Sequence, residues 1–248
     1  MIDSNHSGLI IFFILTLVAE ILGTIGGFGS SLFFVSLSQF VYDFKTVLAL
    51  TGLLHVFSNV AKLYLFRKTI DWRLALWLGV SSVLFVIVGA LLTSMISFQY
   101  AKLALGIFLV LISSFLLLNS RAEMKATRNN SIVSGAVAGF LAGFIGTGGA
   151  VRGLALAAFH LEKNFFVGTS AMIDFGVDLT RTFIYLDMNY LDRSLWINIP
   201  FMLVAAFLGS YLGKLLLRKI NQETFQRIVL TLILTAGISI LLAQAFAP

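Results

Sequence analysis

The sequence predicts an all-α integral membrane protein made of two inverted repeats, and three observations support this fold class. The chain of 248 residues is 59% hydrophobic and only 11% charged, whereas a soluble domain is about a quarter charged. Apolar stretches long enough to cross a bilayer recur along its whole length. Two similar glycine-rich motifs lie 120 positions apart. These features leave no room for a sizeable soluble domain.

The apolar segments divide into two sets of five, separated by a polar linker at residues 119–130. We therefore assign residues 1–118 to the first membrane repeat and 131–248 to the second, with the linker on the cytoplasmic side. The first apolar run has no basic flank, so we interpret it as a permanent helix and not as a signal peptide. The segments are 8–25, 32–42, 46–66, 73–97, 101–118, 131–145, 150–161, 165–186, 194–217 and 224–246. Pro200 is expected to kink its helix.

The two halves share a glycine motif followed by a polar helix. The stretch "GTIGGFGSSLF" (23–33) aligns with "GFIGTGGAVRG" (143–153) at an offset of 120. In each half a polar triplet follows with the spacing i, i+4, i+7, which places its members on one face of a helix. At an offset of 119 the triplets are His55, Asn59 and Lys62, and Asp174, Asp178 and Arg181. This double match predicts an internal repeat.

Helix length and loop charge predict the topology. A single helix over residues 8–42 would be about 52 Å long, far more than the roughly 30 Å of hydrocarbon. We therefore expect each glycine motif to break a helix into a hairpin, which three spans then follow. This arrangement places eleven basic residues in loops on one face and three on the other. The positive-inside rule makes the first face cytoplasmic, places both termini outside, and makes the two halves inverted repeats.

The glycine motifs are candidate anion sites. Where a helix breaks inside a membrane, lipid cannot satisfy the exposed backbone groups, and a helix that begins there directs N–H groups and a positive dipole at a ligand. Glycine also lets helices approach closely, so tight packing at a hairpin turn is the alternative explanation. The residues expected to bind substrate are Gly26, Gly27, Gly29, Ser30, Ser31, Gly146, Thr147, Gly148, Gly149 and Arg152.

Arg152 directly follows the second glycine motif, inside an apolar segment. A buried guanidinium group needs a counter-charge or a ligand, and its forked donors match an oxyanion. We expect it to contact the substrate. The alternatives are pairing with a buried carboxylate, either Glu20 or Asp174, and a position at the membrane interface.

A stripe of Gly135, Gly139 and Gly143, and the pair Gly209 and Gly213, are expected to serve close helix packing.

Other ionisable residues lie within the apolar segments, where such groups are costly and are candidates for function. Those expected to tune the site or to couple it to an ion are Glu20, His55, Asn59, Asp174, Asp178 and Arg181. Asp174 or Asp178 could carry a coupling proton, while an internal pair between Asp178 and Arg181 is the alternative. Lys62 and Arg181 lie nearer helix ends, so their charges are expected to snorkel to the interface. Glu20 stands alone on its helix face, and both a functional role and a structural role remain open to it.

Several function classes are disfavoured. The net charge of +6 comes mainly from short loops, which topology explains better than nucleic-acid binding does. No metal-ligand spacing and no nucleophile–base pair stands out, so we expect neither an enzyme nor a cofactor. The sequence does not give the oligomeric state.

The paired glycine motifs, each followed by a turn and a polar helix, resemble the TauE/SafE family of sulfite exporter-like transporters. The most similar stretch is "GTGGAVRGLALAAFHLEKNFFVGTSAMIDFGVDLTRTFIYL", residues 146–186. The resemblance implies a multi-pass carrier of small sulfur-containing anions in the bacterial inner membrane. The glycines that carry over are Gly26, Gly27, Gly29, Gly146, Gly148 and Gly149. The chain departs from the family in lacking a proline after each motif, in Phe28 interrupting the first motif, and in Arg152 replacing a common apolar residue.

These observations together predict a secondary transporter that moves a small anion by alternating access. Its expected partners are the anion, the lipid bilayer and a coupling proton or sodium ion. Two alternatives remain: an anion channel, and a cation- or proton-coupled transporter that uses Glu20, Asp174 and Asp178. The exact substrate, the coupling ion and the direction of transport do not follow from the sequence.

Overall fold

The computed structural model describes residues 6–38, 42–92, 99–119, 122–145 and 148–245, and in these ranges all regular structure is helical. There are ten α-helices, with a short 3-10 helix at Arg193–Asn198 before the ninth. They are α1 (His6–Gly26), α2 (Ser31–Ser38), α3 (Phe44–Phe66), α4 (Trp72–Leu92), α5 (Gln99–Leu118), α6 (Arg128–Ile145), α7 (Gly148–Ala158), α8 (Lys163–Asp187), α9 (Ile199–Arg218) and α10 (Gln222–Ala245).

Each of the ten apolar segments corresponds to one helix, so the all-helical prediction is confirmed. The predicted ends of the second and fourth segments, at 39–41 and 93–97, lie outside the described residues. The prediction for Pro200 was wrong. This residue lies in the first turn of α9, after Asn198, where its missing N–H has no intrahelical partner and its fixed φ suits a helix start. It therefore begins the helix instead of kinking it.

The first glycine motif breaks the helix, as predicted. Gly27 and Gly29 have φ angles of 75° and 98°, a left-handed backbone that glycine adopts without steric cost. The chain folds back so closely that a Cβ on Gly23 would lie 2.6 Å from the backbone nitrogen of Ser30. At the second motif, Gly146 and Thr147 lie outside the described residues. There α7 begins beside the middle of α6, since a Cβ on Gly148 would be 2.2 Å from the carbonyl oxygen of Ala138.

Glycines also bring pairs of long helices into backbone contact. Gly139 of α6 faces α4, where an added Cβ would lie 2.1 Å from the carbonyl oxygen of Ser82. Gly135 and Gly143 make equally close approaches to α4, while Gly209 and Gly213 of α9 face α1. A side chain at these positions would separate the helices, so the prediction of close packing is confirmed.

Much of the outer surface of the helices is apolar, while several charged side chains are buried inside, as in a membrane protein with a polar centre. Leu76 and Leu84 of α4 and Leu111 of α5 are 55%, 59% and 62% exposed. Within the described residues, four helices, α3, α4, α9 and α10, are long and apolar enough to cross a membrane by the criterion of length and composition. Helix α8 has 25 residues but carries several charged side chains. The fold is therefore compatible with a multi-pass integral membrane protein.

Helices α3 and α8 pack against each other in the interior and carry the polar triplets. Each begins at an acidic cap: Asp43 accepts hydrogen bonds from the backbone N–H groups of Lys45 and Thr46, and Glu162 caps α8 in the same way. The hydrogen bond from the Thr46 hydroxyl lowers the pKa of Asp43. These caps set where each helix starts and hence which residues reach the centre.

We expect Gly139→Ala to destabilise the protein, because the new methyl group would meet the α4 backbone, which cannot rotate away as a side chain can. Overpacking of this kind costs about 1–3 kcal/mol, measurable as a lower midpoint of thermal unfolding in detergent. Gly79→Ala is the matched control on α4, since its Cβ would find its nearest heavy atom at an ordinary 3.5 Å, on Ile173. Equal midpoints for the two variants would contradict close packing at Gly139.

Candidate functional site

A small cavity lies where α7 begins and where α3 and α8 cross. Its volume is about 10 Å³, roughly the space for one water molecule. The second and third helices of each predicted half therefore contribute to one centre. Its lining residues are Ser31, His55, Ala142, Gly148, Gly149, Arg152, Asp174, Val177, Asp178 and Arg181.

Arg152 is 1% exposed and forms an ion pair with Asp174 through Nη2 and Oδ1. The hydroxyl of Ser170, one turn earlier on α8, donates to the other carboxylate oxygen of Asp174 at 3.0 Å. An interfacial position for Arg152 is therefore wrong, and its counter-charge is Asp174, not Glu20. Arg152 Nε and Nη1 are buried and have no hydrogen-bond partner among the described residues. Asp174 thus neutralises the charge but leaves two donors of the guanidinium group unused.

Asp178 is the centre of a second buried group. One of its oxygens lies 2.8 Å from Arg181 Nη2, and the other accepts a 2.8 Å hydrogen bond from the side-chain amide of Asn59. Arg181 is buried, so the prediction that it snorkels to the interface was wrong. The packing of α3 against α8 encloses its side chain, and Asp178 one turn away supplies the counter-charge, which is the pairing that the sequence left open.

His55 connects this group to the first glycine motif. Its Nδ1 lies 3.3 Å from Asp178 Oδ2 and 3.5 Å from Arg181 Nη2. A Cβ on Gly29 would lie 3.1 Å from the imidazole ring, so the glycine makes room for the histidine. In the described part of the chain, His55 Nε2 is buried without a hydrogen-bond partner. The imidazole ring can therefore accept a further proton or ligand contact at that atom.

Glu20 belongs to a separate buried cluster, not to the cavity. The hydroxyls of Ser30 and Ser58 each donate to one oxygen of its carboxylate, and Lys62 Nζ lies 3.6 Å away. Lys62 is 4% exposed, so its predicted snorkelling was wrong. The sequence left both a functional and a structural role open to Glu20, and the structure supplies its carboxylate with a counter-charge from Lys62 of α3.

The two glycine motifs contribute differently to the cavity. Gly148 and Gly149 line it at the start of α7, where the first N–H groups have no intrahelical partner and the helix dipole is positive. Of the first motif, Ser31 is the residue that lines the cavity. Ser30 turns to Glu20, and a Cβ on Gly27 would meet Phe166, which places that glycine in a packing contact. Gly26 likewise faces side chains of the core.

The formal charges that line the cavity cancel when His55 is neutral. Arg152 and Arg181 bring two positive charges, and Asp174 and Asp178 bring two negative ones. No group of three His, Cys, Asp or Glu side chains in the described ranges is placed to hold a metal ion. What the centre offers a ligand is therefore a set of N–H donors, from Arg152 and from the start of α7, in a neutral surrounding.

Sequence reasoning missed two polar residues near these charges, Ser170 and Ser58, and it assigned Lys62 to the interface. Ser170 precedes Asp174 by one helical turn, so the i, i+4 spacing contained the signal. Ser58 and Lys62 belong to the Glu20 cluster, and their link to Glu20 spans about forty positions. No local pattern indicates that contact, because it depends on how α1 packs against α3.

The chain also matches a known family. The family model described as sulfite exporter TauE/SafE matches residues 12–240, which is nearly the whole chain. No curated protein and no solved structure gives a significant match. Because this match covers far more than half of the chain, the chain belongs to the TauE/SafE family of sulfite exporter-type membrane transporters.

Proposed function

We propose that the protein is a secondary transporter that moves a small anion, either sulfite, a sulfonate or a related sulfur oxyanion, across the inner membrane by alternating access. Membership of the TauE/SafE family supports a sulfur-containing anion. The observation that carries the proposal is the pair of unpartnered donors on buried Arg152, beside the start of α7.

The chemistry of this pair of features suits an oxyanion. Arg152 Nε and Nη1 are donors on different sides of the planar guanidinium group, so each can bind an anion oxygen while Nη2 pairs with Asp174. Gly148 and Gly149 bring the first N–H groups of α7 to the same cavity, and helix N-termini bind anions. Asp174 keeps the guanidinium group in place without occupying its remaining donors. We propose that Ser31, Gly148, Gly149 and Arg152 contact the anion directly.

The size of the cavity supports alternating access over a channel. At about 10 Å³ it holds roughly one water molecule, whereas a sulfur oxyanion carries at least three oxygens around its sulfur. The anion can therefore bind only after the helices around the cavity separate. A channel needs a continuous path, and the closed packing of α3, α7 and α8 does not favour one. We propose that the two halves rock about this centre.

Packing supports the proposed division into inverted halves at 1–118 and 131–248, joined by the linker 119–130. A shift of 120 positions places α4 on α9 and α1 on α6. The contact of α4 with α6 therefore corresponds to the contact of α9 with α1, and both pairs pack closely. The correspondence extends to single residues: Gly89 approaches Phe140, and Gly209 approaches Glu20. Both members of the second pair lie 120 positions from those of the first.

One hydrogen bond supports a pseudo-twofold axis at the centre. Asn59 and Asp178 occupy equivalent positions of the two halves, 119 residues apart, and they bond to each other at 2.8 Å. Under twofold symmetry, a residue touches its own equivalent only close to the axis. The proposed axis therefore passes between α3 and α8 beside the cavity, where substrate sites of inverted-repeat transporters lie.

Charge balance supports a coupling proton carried by His55. The cavity is formally neutral, so an anion would bring an uncompensated negative charge into the interior, which is costly. A proton on the imidazole would restore neutrality, and His55 Nε2 is buried without a partner among the described residues. We propose that Asp174 and Asp178 remain charged in their ion pairs and that Asn59 and Arg181 orient Asp178.

We propose that both termini lie outside the cell and that the basic loops face the cytoplasm. The excess of Lys and Arg on one side of the assigned spans supports this orientation through the positive-inside rule.

The Glu20–Lys62 pair lies beside the first glycine motif, since Ser30 bonds Glu20 directly. We propose that this pair tunes the site by holding the motif in position.

We expect Arg152→Lys to weaken oxyanion binding at least tenfold while leaving the protein folded. Lysine can still pair with Asp174, but it lacks the additional planar N–H donors that Arg152 Nε and Nη1 supply. The measurement is a thermal-shift titration of purified protein with sulfite, methanesulfonate, sulfate, acetate and chloride. A ligand at 100 times its dissociation constant should stabilise the wild type by about 2.7 kcal/mol.

The matched control for this titration is Arg227→Lys, which makes the same change in an exposed ion pair with Glu223. It should keep the wild-type shift for every anion. If Arg152→Lys also keeps that shift, Arg152 does not bind the anion. If none of the anions stabilises the wild type while a cation does, the anion site itself is wrong.

We expect binding of methanesulfonate, which stays singly charged, to tighten as the pH falls, because protonated His55 adds a positive charge beside the anion. In His55→Gln the affinity should no longer depend on pH, and proton uptake with anion flux in proteoliposomes should be lost. His160→Gln is the control, since His160 lies in an exposed turn, with its Nε2 3.1 Å from the carbonyl oxygen of Ala122. A wild-type pH profile in His55→Gln would exclude His55 as the proton carrier.

A further inference from the structure

A second, larger pocket lies where α3 ends, α8 begins and α9 ends. Its volume is about 380 Å³, and none of its lining residues lines the central cavity. Its polar lining comes from three separate parts of the chain: Arg67, Lys68 and Thr69, then Asn164, then Lys214. All three parts belong to the face on which the sequence concentrates its basic residues.

The packing of the helix ends holds the pocket in shape. The hydroxyl of Thr69 donates to the carbonyl oxygens of Phe66 and Asn164, at 3.0 and 3.1 Å, and so ties the loop after α3 to the start of α8. A Cβ on Gly168 would lie 2.4 Å from the carbonyl oxygen of Thr69. The backbone on both sides of the pocket is therefore fixed, and its basic side chains extend from a rigid rim.

The three basic side chains lack counter-charges. Arg67, Lys68 and Lys214 form no ion pair in the ranges that the structure describes. The carboxylates that follow α3 and precede α8 point to backbone N–H groups: Asp71 accepts from the N–H of Leu74 at the start of α4, and Glu162 caps α8. Among the described residues, three cations and no carboxylate line the pocket, so the charge of its lining is uncompensated, which favours an anionic ligand.

Two of the charged groups are held against aromatic rings at the rim. Lys214 Nζ donates to the carbonyl oxygen of Leu65 and lies 5.1 Å from the ring centre of Phe66. The guanidinium group of Arg67 lies 5.6 Å from the ring centre of Tyr64. Tyr64 is 69% exposed at the end of a membrane-spanning helix, where interfacial aromatic residues lie at the level of the lipid headgroups.

We propose that this pocket binds the phosphate of an anionic membrane lipid. Basic pockets between helices on the cytoplasmic side bind anionic headgroups, and this one combines uncompensated cations, a hydroxyl and amide rim, and an exposed aromatic ring at headgroup depth. Its volume suits a headgroup, and its edge at Tyr64 opens to the surface where acyl chains lie. A soluble phosphate has the same chemistry, so the test separates the two sources.

The experiment compares the affinity of purified protein for three ligands by thermal shift and by native mass spectrometry. They are phosphatidylglycerol, phosphatidylcholine with the same acyl chains, and inorganic phosphate. The test variant is Arg67→Gln with Lys68→Gln, which keeps the Lys214 contact with Leu65. The control is Lys219→Gln with Arg227→Gln, which removes two charges from the same face but none from the pocket. The midpoint without lipid reports whether each variant is folded.

We expect phosphatidylglycerol to bind in preference to phosphatidylcholine and to bind the test variant about 25-fold more weakly, since each basic residue near an anionic lipid contributes roughly a fivefold change. The control should bind as the wild type does. Equal binding of the two lipids, or an unchanged affinity in the test variant, would overturn the proposal. If inorganic phosphate binds as tightly as the lipid and is lost in the test variant, the site is a soluble-oxyanion site and its assignment to a lipid is wrong.

Discussion

Compensation of buried charge is the constraint on which the rest of the structure depends. An ion removed from water costs several kcal/mol unless an opposite charge and hydrogen bonds surround it. Arg152 faces Asp174, and Lys62 faces Glu20. Each pair joins different helices, so neutralising a charge also fixes the position of one helix against another. Loss of one partner would leave an uncompensated charge in the interior, and this would destabilise the packing of the two helices.

Close approach of helix backbones at glycine residues is the second constraint, and it brings the helices near enough for the buried charges to pair. Where Gly139 and Gly143 face α4, the axes of the two helices can come within backbone contact. The same closeness lets α7 begin beside α6, so that its free N–H groups point into protein and not into lipid, which could not satisfy them. Arg152 lies in the second turn of this short helix, and the position of the helix therefore decides where the guanidinium group is placed.

These two constraints explain how a neutral centre can bind the anion that we propose. Carboxylates and guanidinium groups cancel in formal charge, yet among the described residues Arg152 Nε and Nη1 remain donors without a partner, beside the start of α7. A neutral centre with spare donors binds an anion without the cost of storing an isolated positive charge between transport cycles. In the transport cycle that we propose, the neutral centre also ties the movement of an anion to a proton, since neutrality is regained when the imidazole is protonated.

The sequence by itself determined the helices, their breaks and the polar faces, because these follow from local rules. Three features can be read from the local sequence without knowing which helices pack together. They are the length of each apolar segment, the glycines at 26, 27 and 29, and the i, i+4, i+7 spacing. Partner choice was decided by the tertiary structure. Nothing local indicates that Lys62 turns inward to Glu20, or that Arg181 is enclosed instead of reaching the interface, since both outcomes depend on which helix packs alongside. For Arg152, the sequence limited the partners to a ligand or a carboxylate, and only the packing of α7 against α8 selected Asp174.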